Sequence, residues 1–172
     1  MREIKEYAYP YQENNSELMV SILNSQSITT ESYTERSENC HIAKGVEESR
    51  AVQKFIKWIE ETTDTTLEDI WGVWYYDGGG VKWHTHVGDF RYSFVYYIQV
   101  PENSSSIIFS EDPEKGEQTT MYPNQGICMI WDSDLPHCVP PSNHKGRCVL
   151  SGNLIRSLKY TMMLYNQHIK KN

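Results

Sequence analysis

Three histidines hold most of the chemistry this sequence offers. His84 and His86 stand one residue apart in the run Val81-Lys82-Trp83-His84-Thr85-His86. Side chains alternate across a β-strand, so residues i and i+2 point to the same face. Two imidazoles on one strand face are half of a metal site. Some fifty residues on, Trp131-Asp132-Ser133-Asp134-Leu135-Pro136 leads into His137. A histidine placed after a proline-containing turn and at the start of a strand is a natural third ligand. The predicted metal ligands are therefore His84, His86 and His137. His41, His144 and His168 lie in polar or terminal stretches and read as surface residues.

Ten residues past His137, Arg147 opens the strand-like segment Arg147-Cys148-Val149-Leu150-Ser151. An arginine leading a core strand is costly unless its guanidinium meets an anion. Its planar fork suits a carboxylate. Asp132 and Asp134 are close enough in sequence to orient His137, although both residue types are also common in turns.

These residues need a β scaffold, and the chain supplies one from Ile70 onward. Short β-rich runs cover 70–76, 81–86, 92–100, 105–110, 126–131, 137–139, 147–153 and 158–165. Turn signals separate them, among them Gly78-Gly79-Gly80, Gly88-Asp89 and Pro140-Pro141. About eight strands with turns every ten or so residues predict an antiparallel sandwich or barrel. Before that, Ile4, Tyr7 and Tyr9 suggest an edge strand. Ser16 is placed to cap a short helix with Leu18, Met19, Ile22 and Leu23 inward, and 25–39 reads as a loop. A helix over 47–61 has Val52, Phe55, Ile56 and Ile59 on one face. Glu47 and Glu48 suit its first turn. The expected fold is an all-β core with flanking α structure. It is a double-stranded β-helix (jelly-roll, cupin-like) with one or two N-terminal helices packed outside. One domain over 1–172 is expected, with an extension over 1–69 and the core over 70–166.

The order His-X-acid, distal His, then Arg about ten residues later marks the iron(II)/2-oxoglutarate-dependent oxygenases. His84-Thr85-His86, His137 and Arg147 resemble that series. Tyr92-Ser93-Phe94-Val95-Tyr96-Tyr97-Ile98 is similar to a strand of the prolyl-hydroxylase-like branch, and Tyr75-Tyr76-Asp77-Gly78 to its approach to the first ligand. The resemblance covers roughly 70–155. It implies Fe(II) on His84 and His137, and Arg147 on the far carboxylate of 2-oxoglutarate. It implies Tyr97 on the same carboxylate and Tyr76 on the opposite side of the cosubstrate. Dioxygen and an unidentified substrate, a small molecule or a protein side chain, would complete the reaction, with succinate and carbon dioxide released. No catalytic residue beyond the metal ligands is required.

The sequence departs from that series where His86 replaces the usual acid and Val149 stands where many relatives carry serine. A second register, His86-Val87-Gly88 with Asp89 approaching from the turn, stays open. So does a cupin-type metal enzyme or binding protein that does not use 2-oxoglutarate. Cupins usually place a glutamate four or five residues after the second histidine, where this chain has Phe90 and Arg91.

The net charge of −7 disfavours broad nucleic-acid binding, which depends on neutralising phosphates. No apolar run approaches a membrane span or a secretory signal, so a cytoplasmic protein is expected. Self-association stays open. Cys40, Cys128, Cys138 and Cys148 form no Cys-X-X-Cys pair and are expected as reduced, mostly buried thiols.

Overall fold

The structure is a computed structural model and describes residues 2–26, 37–142 and 146–157. His144, His168 and the strand expected over 158–165 lie outside the described residues.

The elements run β1 (Lys5–Ala8), α1 (Asn15–Asn24), β2 (Ser37–Ala43), α2 (Arg50–Thr63), β3 (Thr65–His84) and β4 (Tyr92–Gln99). They continue with β5 (Ile107–Ser110), β6 (Gln118–Met121), β7 (Ile127–Asp132), β8 (His137–Ser142) and β9 (Arg147–Arg156). The described pairings are antiparallel, in the order β1-β7-β4-β9-β3-β8-β5-β6, with β2 beside β3. This curled, strand-dominated sheet with two helices is the expected double-stranded β-helix.

One long strand makes the roll. The first half of β3 pairs with β9, from Thr65↔Arg156 to Tyr75↔Arg147. Its second half leaves that layer and pairs with β8, ending at His84↔His137. The sequence reading had placed a turn at Gly78-Gly79-Gly80, and the structure corrects it: the strand passes straight through. Gly79 and Gly80 are there because backbones come close, and Gly78 adopts a left-handed φ of 74°. A Cβ on Gly80 would lie 2.8 Å from the Val139 carbonyl oxygen and 2.9 Å from the Pro141 nitrogen. Register shifts between Gly79 and Val81 and between Val81 and His84 bend the strand from one layer to the other.

Two cores result. Helices α1 and α2 cover the outer face of the larger layer. Phe55, Ile59, Leu18 and Ile22 pack there on Phe94, Tyr96, Leu150 and Leu154. Between the layers lie Val73, Tyr75, Val95, Tyr97, Phe109, Trp131 and Val149. Strand β4 is buried on both faces, which explains the continuous apolar and aromatic run Phe94–Ile98.

Helix α2 starts at Arg50, later than the sequence suggested. Val46–Glu48 forms a separate 3-10 turn, and Ser49 is extended. In α1, Leu18 and Ile22 are buried as expected, but Leu23 is 44% exposed. Strand β2 begins inside the stretch read as a loop. Its Cys40-His41-Ile42-Ala43 ladder on β3 depends on a distant partner and carries no local strand signature.

Gly152 has no room for a side chain, since a Cβ would sit 2.4 Å from the Asp69 carbonyl oxygen and 2.7 Å from the Phe94 ring. Gly152→Ala is expected to destabilise the fold by about 1–3 kcal/mol. A urea melt with an unchanged midpoint would contradict this close packing.

Candidate metal centre

Local geometry and register bring the three histidines together. His84 ends β3 and His137 opens β8, and the two are Cα partners. His86 follows just beyond β3, its backbone N–H donating to the Ser133 carbonyl at 3.0 Å. The ring centroids of His84 and His137 are 4.2 Å apart, those of His84 and His86 5.2 Å, and those of His86 and His137 5.3 Å. One ligand atom from each lies within 4.8 Å of the other two. Asp89, the alternative acid, is exposed and stands outside this group.

The imidazoles are oriented by backbone carbonyls. His84 Nδ1 lies 2.8 Å from the Lys82 oxygen, and His137 Nδ1 lies 3.0 Å from the Leu135 oxygen. A carbonyl only accepts, so each Nδ1 carries a proton, which leaves Nε2 as the ring nitrogen available to ligate. Asp132 and Asp134 read from the sequence as orienting groups or as turn residues, and the turn reading holds: the Asp132 carbonyl accepts the Leu135 N–H at 2.9 Å. Asp134 pairs with Arg2.

Burial pushes the His137 imidazole well below its ordinary pKa. The neighbouring His84 lowers it further, the Leu135 carbonyl opposes, and His86 adds to the lowering. The ring is held neutral, as a ligand must be. In the metal-free protein this gives stability a sign with pH. The unfolded histidine titrates near ~6.5 and the folded one lower, so on acidification the unfolded chain binds the proton first. The stabilisation is full above pH ~6.5 and is lost as pH falls below it, by up to about 1.4 kcal/mol per pH unit. Urea midpoints at pH 7.5 and 5.5 check this. The lower-pH midpoint is expected to fall, and the drop to shrink in His137→Phe.

Away from the histidines, Arg147 is 2% exposed at the start of β9. Its Nη1 donates to the Ser105 carbonyl at 2.7 Å, and its Nε is buried with no hydrogen-bond partner. Its guanidinium lies 5.0 Å from the Tyr75 ring centre and 5.1 Å from that of Tyr97. Among the described residues, no ion pair involves it. A cavity of about 300 Å³ joins Arg147 and Tyr75 to His84, His86 and His137, with Val73, Val95 and Trp131 along its walls.

The tyrosines divide. Tyr97 lies beneath Arg147 but does not line the cavity, and its hydroxyl donates to Met129 Sδ at 3.7 Å. Burial pushes its phenol up to about 12, against the pull of Arg147. Tyr76 is 50% exposed and outside the cavity. The expectation for it is corrected by strand parity: Trp71, Val73 and Tyr75 share the inner face, so Tyr76 faces out. Tyr75 lines the cavity instead. Burial raises its phenol as well, so it stays a hydrogen-bond donor. Counting alternate residues back from Tyr75 to the apolar Val73 and Trp71 is the signal that finds it. Cys148 packs in the outer core, away from the site.

No family model matches the chain, and neither does any curated protein. Solved structures do. A prolyl-4-hydroxylase from Pseudomonas putida superposes with a TM-score of 0.66 at 15% identity, covering 91% of this chain and 94% of that one. An oxidoreductase of the 2OG-Fe(II) oxygenase family from Burkholderia pseudomallei gives 0.68 at 8% identity, covering 90% and 84%. The fold is that of the 2OG-Fe(II) oxygenases. A prolyl hydroxylase from Trichoplax adhaerens, solved with a hypoxia inducible factor peptide fragment, shares this oxygenase fold at 0.66 and 13% identity over 90% and 84%. Among the described residues, no helix is long and apolar enough to cross a membrane.

Proposed function

We propose that the chain is a non-haem Fe(II)- and 2-oxoglutarate-dependent dioxygenase that hydroxylates its substrate. The observation that carries this reading is one cavity with two ends. Three imidazoles converge along it, and at one end stands a buried guanidinium that has no acidic partner among the described residues. The donors fit the cofactors. Imidazoles, which ligate in their neutral form, suit a divalent transition metal. An unpaired buried Arg147 with an orphaned Nε suits a dicarboxylate, since a charge taken out of water is stable only when matched.

His84, His86 and His137 hold the metal. Arg147 binds the far carboxylate of 2-oxoglutarate, and the Tyr75 hydroxyl donates toward it. Tyr97 supports the guanidinium from below. Iron with 2-oxoglutarate supplies the activation of dioxygen, with release of succinate and carbon dioxide. The protein orients the groups and lines the space between them with Val73, Val95 and Val139, which limits water. Three imidazoles in place of two and a carboxylate leave the metal one unit more positive. Binding of the anionic cosubstrate is correspondingly favoured.

The cupin alternative has no use for a buried arginine at the cavity floor. The deciding experiment is succinate release from 2-oxoglutarate with Fe(II) and dioxygen, with and without pooled candidate substrates. Iron-dependent succinate, even uncoupled, is expected. None under any condition would remove the oxygenase reading.

A further inference from the structure

The cavity has a second polar end, and nothing above uses it. Asp69 and Asn153 both line it and are Cα partners across β3 and β9. They stand six residues from the Tyr75–Arg147 pair along the same strands, which is roughly 20 Å at about 3.3 Å per residue. They stand two residues beyond Trp71, whose indole stacks on His86 at 5.9 Å. The order along the cavity is thus Arg147, the histidines, then Asp69 with Asn153.

Asn153 is 3% exposed. The Ser93 hydroxyl, itself buried, donates to its Oδ1 at 2.7 Å, which leaves Nδ2 as the free end of the amide. That nitrogen has no partner among the described residues, and it is not among the atoms sealed from solvent. It therefore opens onto the cavity. Asp69 Oδ1 accepts the Asn153 backbone N–H at 3.1 Å, and its second oxygen has no hydrogen-bond partner among the described residues. Among the described residues lining the cavity, Asp69 is the one acid, and none of the ion pairs involves it. An anionic acceptor and a neutral donor thus stand side by side on a rigid strand pair. Such a pair matches a cationic nitrogen next to an oxygen acceptor. Lys44, with its ammonium 5.8 Å from the Trp71 ring centre, adds positive charge at the same rim.

We propose that this end is the substrate subsite and that it takes a free α-amino acid. The ammonium group sits on Asp69, and the carboxylate accepts from Asn153 Nδ2. This rests on the oxygenase reading for the meaning of "substrate", but the binding itself is tested without turnover. The small cavity favours a small molecule, since ~300 Å³ is the lower end for ligand sites.

The test is calorimetry on Zn(II)-loaded protein with 2-oxoglutarate present, titrating each common L-amino acid and then the N-acetyl derivative of each binder. At least one amino acid is expected to bind, and N-acetylation to weaken it by about tenfold or more. Asp69→Asn is expected to produce a similar loss while leaving 2-oxoglutarate affinity unchanged. Asparagine keeps an oxygen for the Asn153 N–H, and the N-acetyl comparison on the wild type stands even if that variant folds poorly. No binding by any amino acid, equal binding of the N-acetyl forms, or full affinity in Asp69→Asn would each overturn the subsite. Amino-acid binding without 2-oxoglutarate binding would support the subsite and overturn the oxygenase reading instead.

Discussion

His137→Ala is expected to lower metal affinity by more than about 100-fold and to reduce succinate release to background. Loss of groups that merely orient a ligand costs 10–100-fold, and loss of a ligand costs more. Of the three rings, this one is the most buried, in contact with Trp131 at 4.8 Å and Phe109 at 5.9 Å between ring centres. Truncating it leaves a void, and the metal-free variant is expected to lose about 2–4 kcal/mol of stability. His86→Ala separates the two effects. That ring is only partly buried, so its removal is expected to cost the metal with a smaller loss of stability. A chelator-competition titration with Zn(II) or Co(II) measures the first effect, and a urea melt measures the second. Wild-type metal affinity in both variants would show that the convergence of rings holds no ion.

Arg147→Met is expected to split binding from stability in the opposite sense. The affinity for 2-oxoglutarate should fall by about 2–5 kcal/mol, the usual cost of truncating one partner of a buried charge pair. The melting temperature of the unliganded protein should be no lower than wild type. Replacing a buried, uncompensated charge with an apolar side chain of similar length is often neutral or stabilising. The orphaned Ser105 carbonyl, which now accepts from Arg147, offsets part of that gain. Calorimetry with 2-oxoglutarate and a thermal melt on the same sample test both halves. A large drop in melting temperature with intact 2-oxoglutarate binding would make Arg147 a structural residue.

Much of the site was readable before any fold was known, because strand parity is local. His84 and His86 share a face wherever the chain runs extended near them. His137 and Arg147 were readable from residue type and placement. Parity also held the answer for Tyr75 over Tyr76, but only once the apolar inner face was anchored on Trp71 and Val73. The orienting partners of the histidines were harder to see. Backbone carbonyls of Lys82 and Leu135 leave no trace in residue type, whereas Asp132 and Asp134 invite attention because their side chains are named in the sequence.

By itself the sequence determined the set of ligand types, their spacing and the strand-rich core, all properties of short segments whose covalent geometry sets side-chain direction. Tertiary structure decided what needs a distant partner. It carried β3 through three glycines where β2 and β8 press close, and it made a strand of 37–43 against β3. It set Arg147 in the interior with no acid beside it among the described residues, and it placed Asp69 beside Asn153 across 84 residues of chain. Register between strands is fixed by how whole layers pack and bulge, and no window of local sequence contains that information.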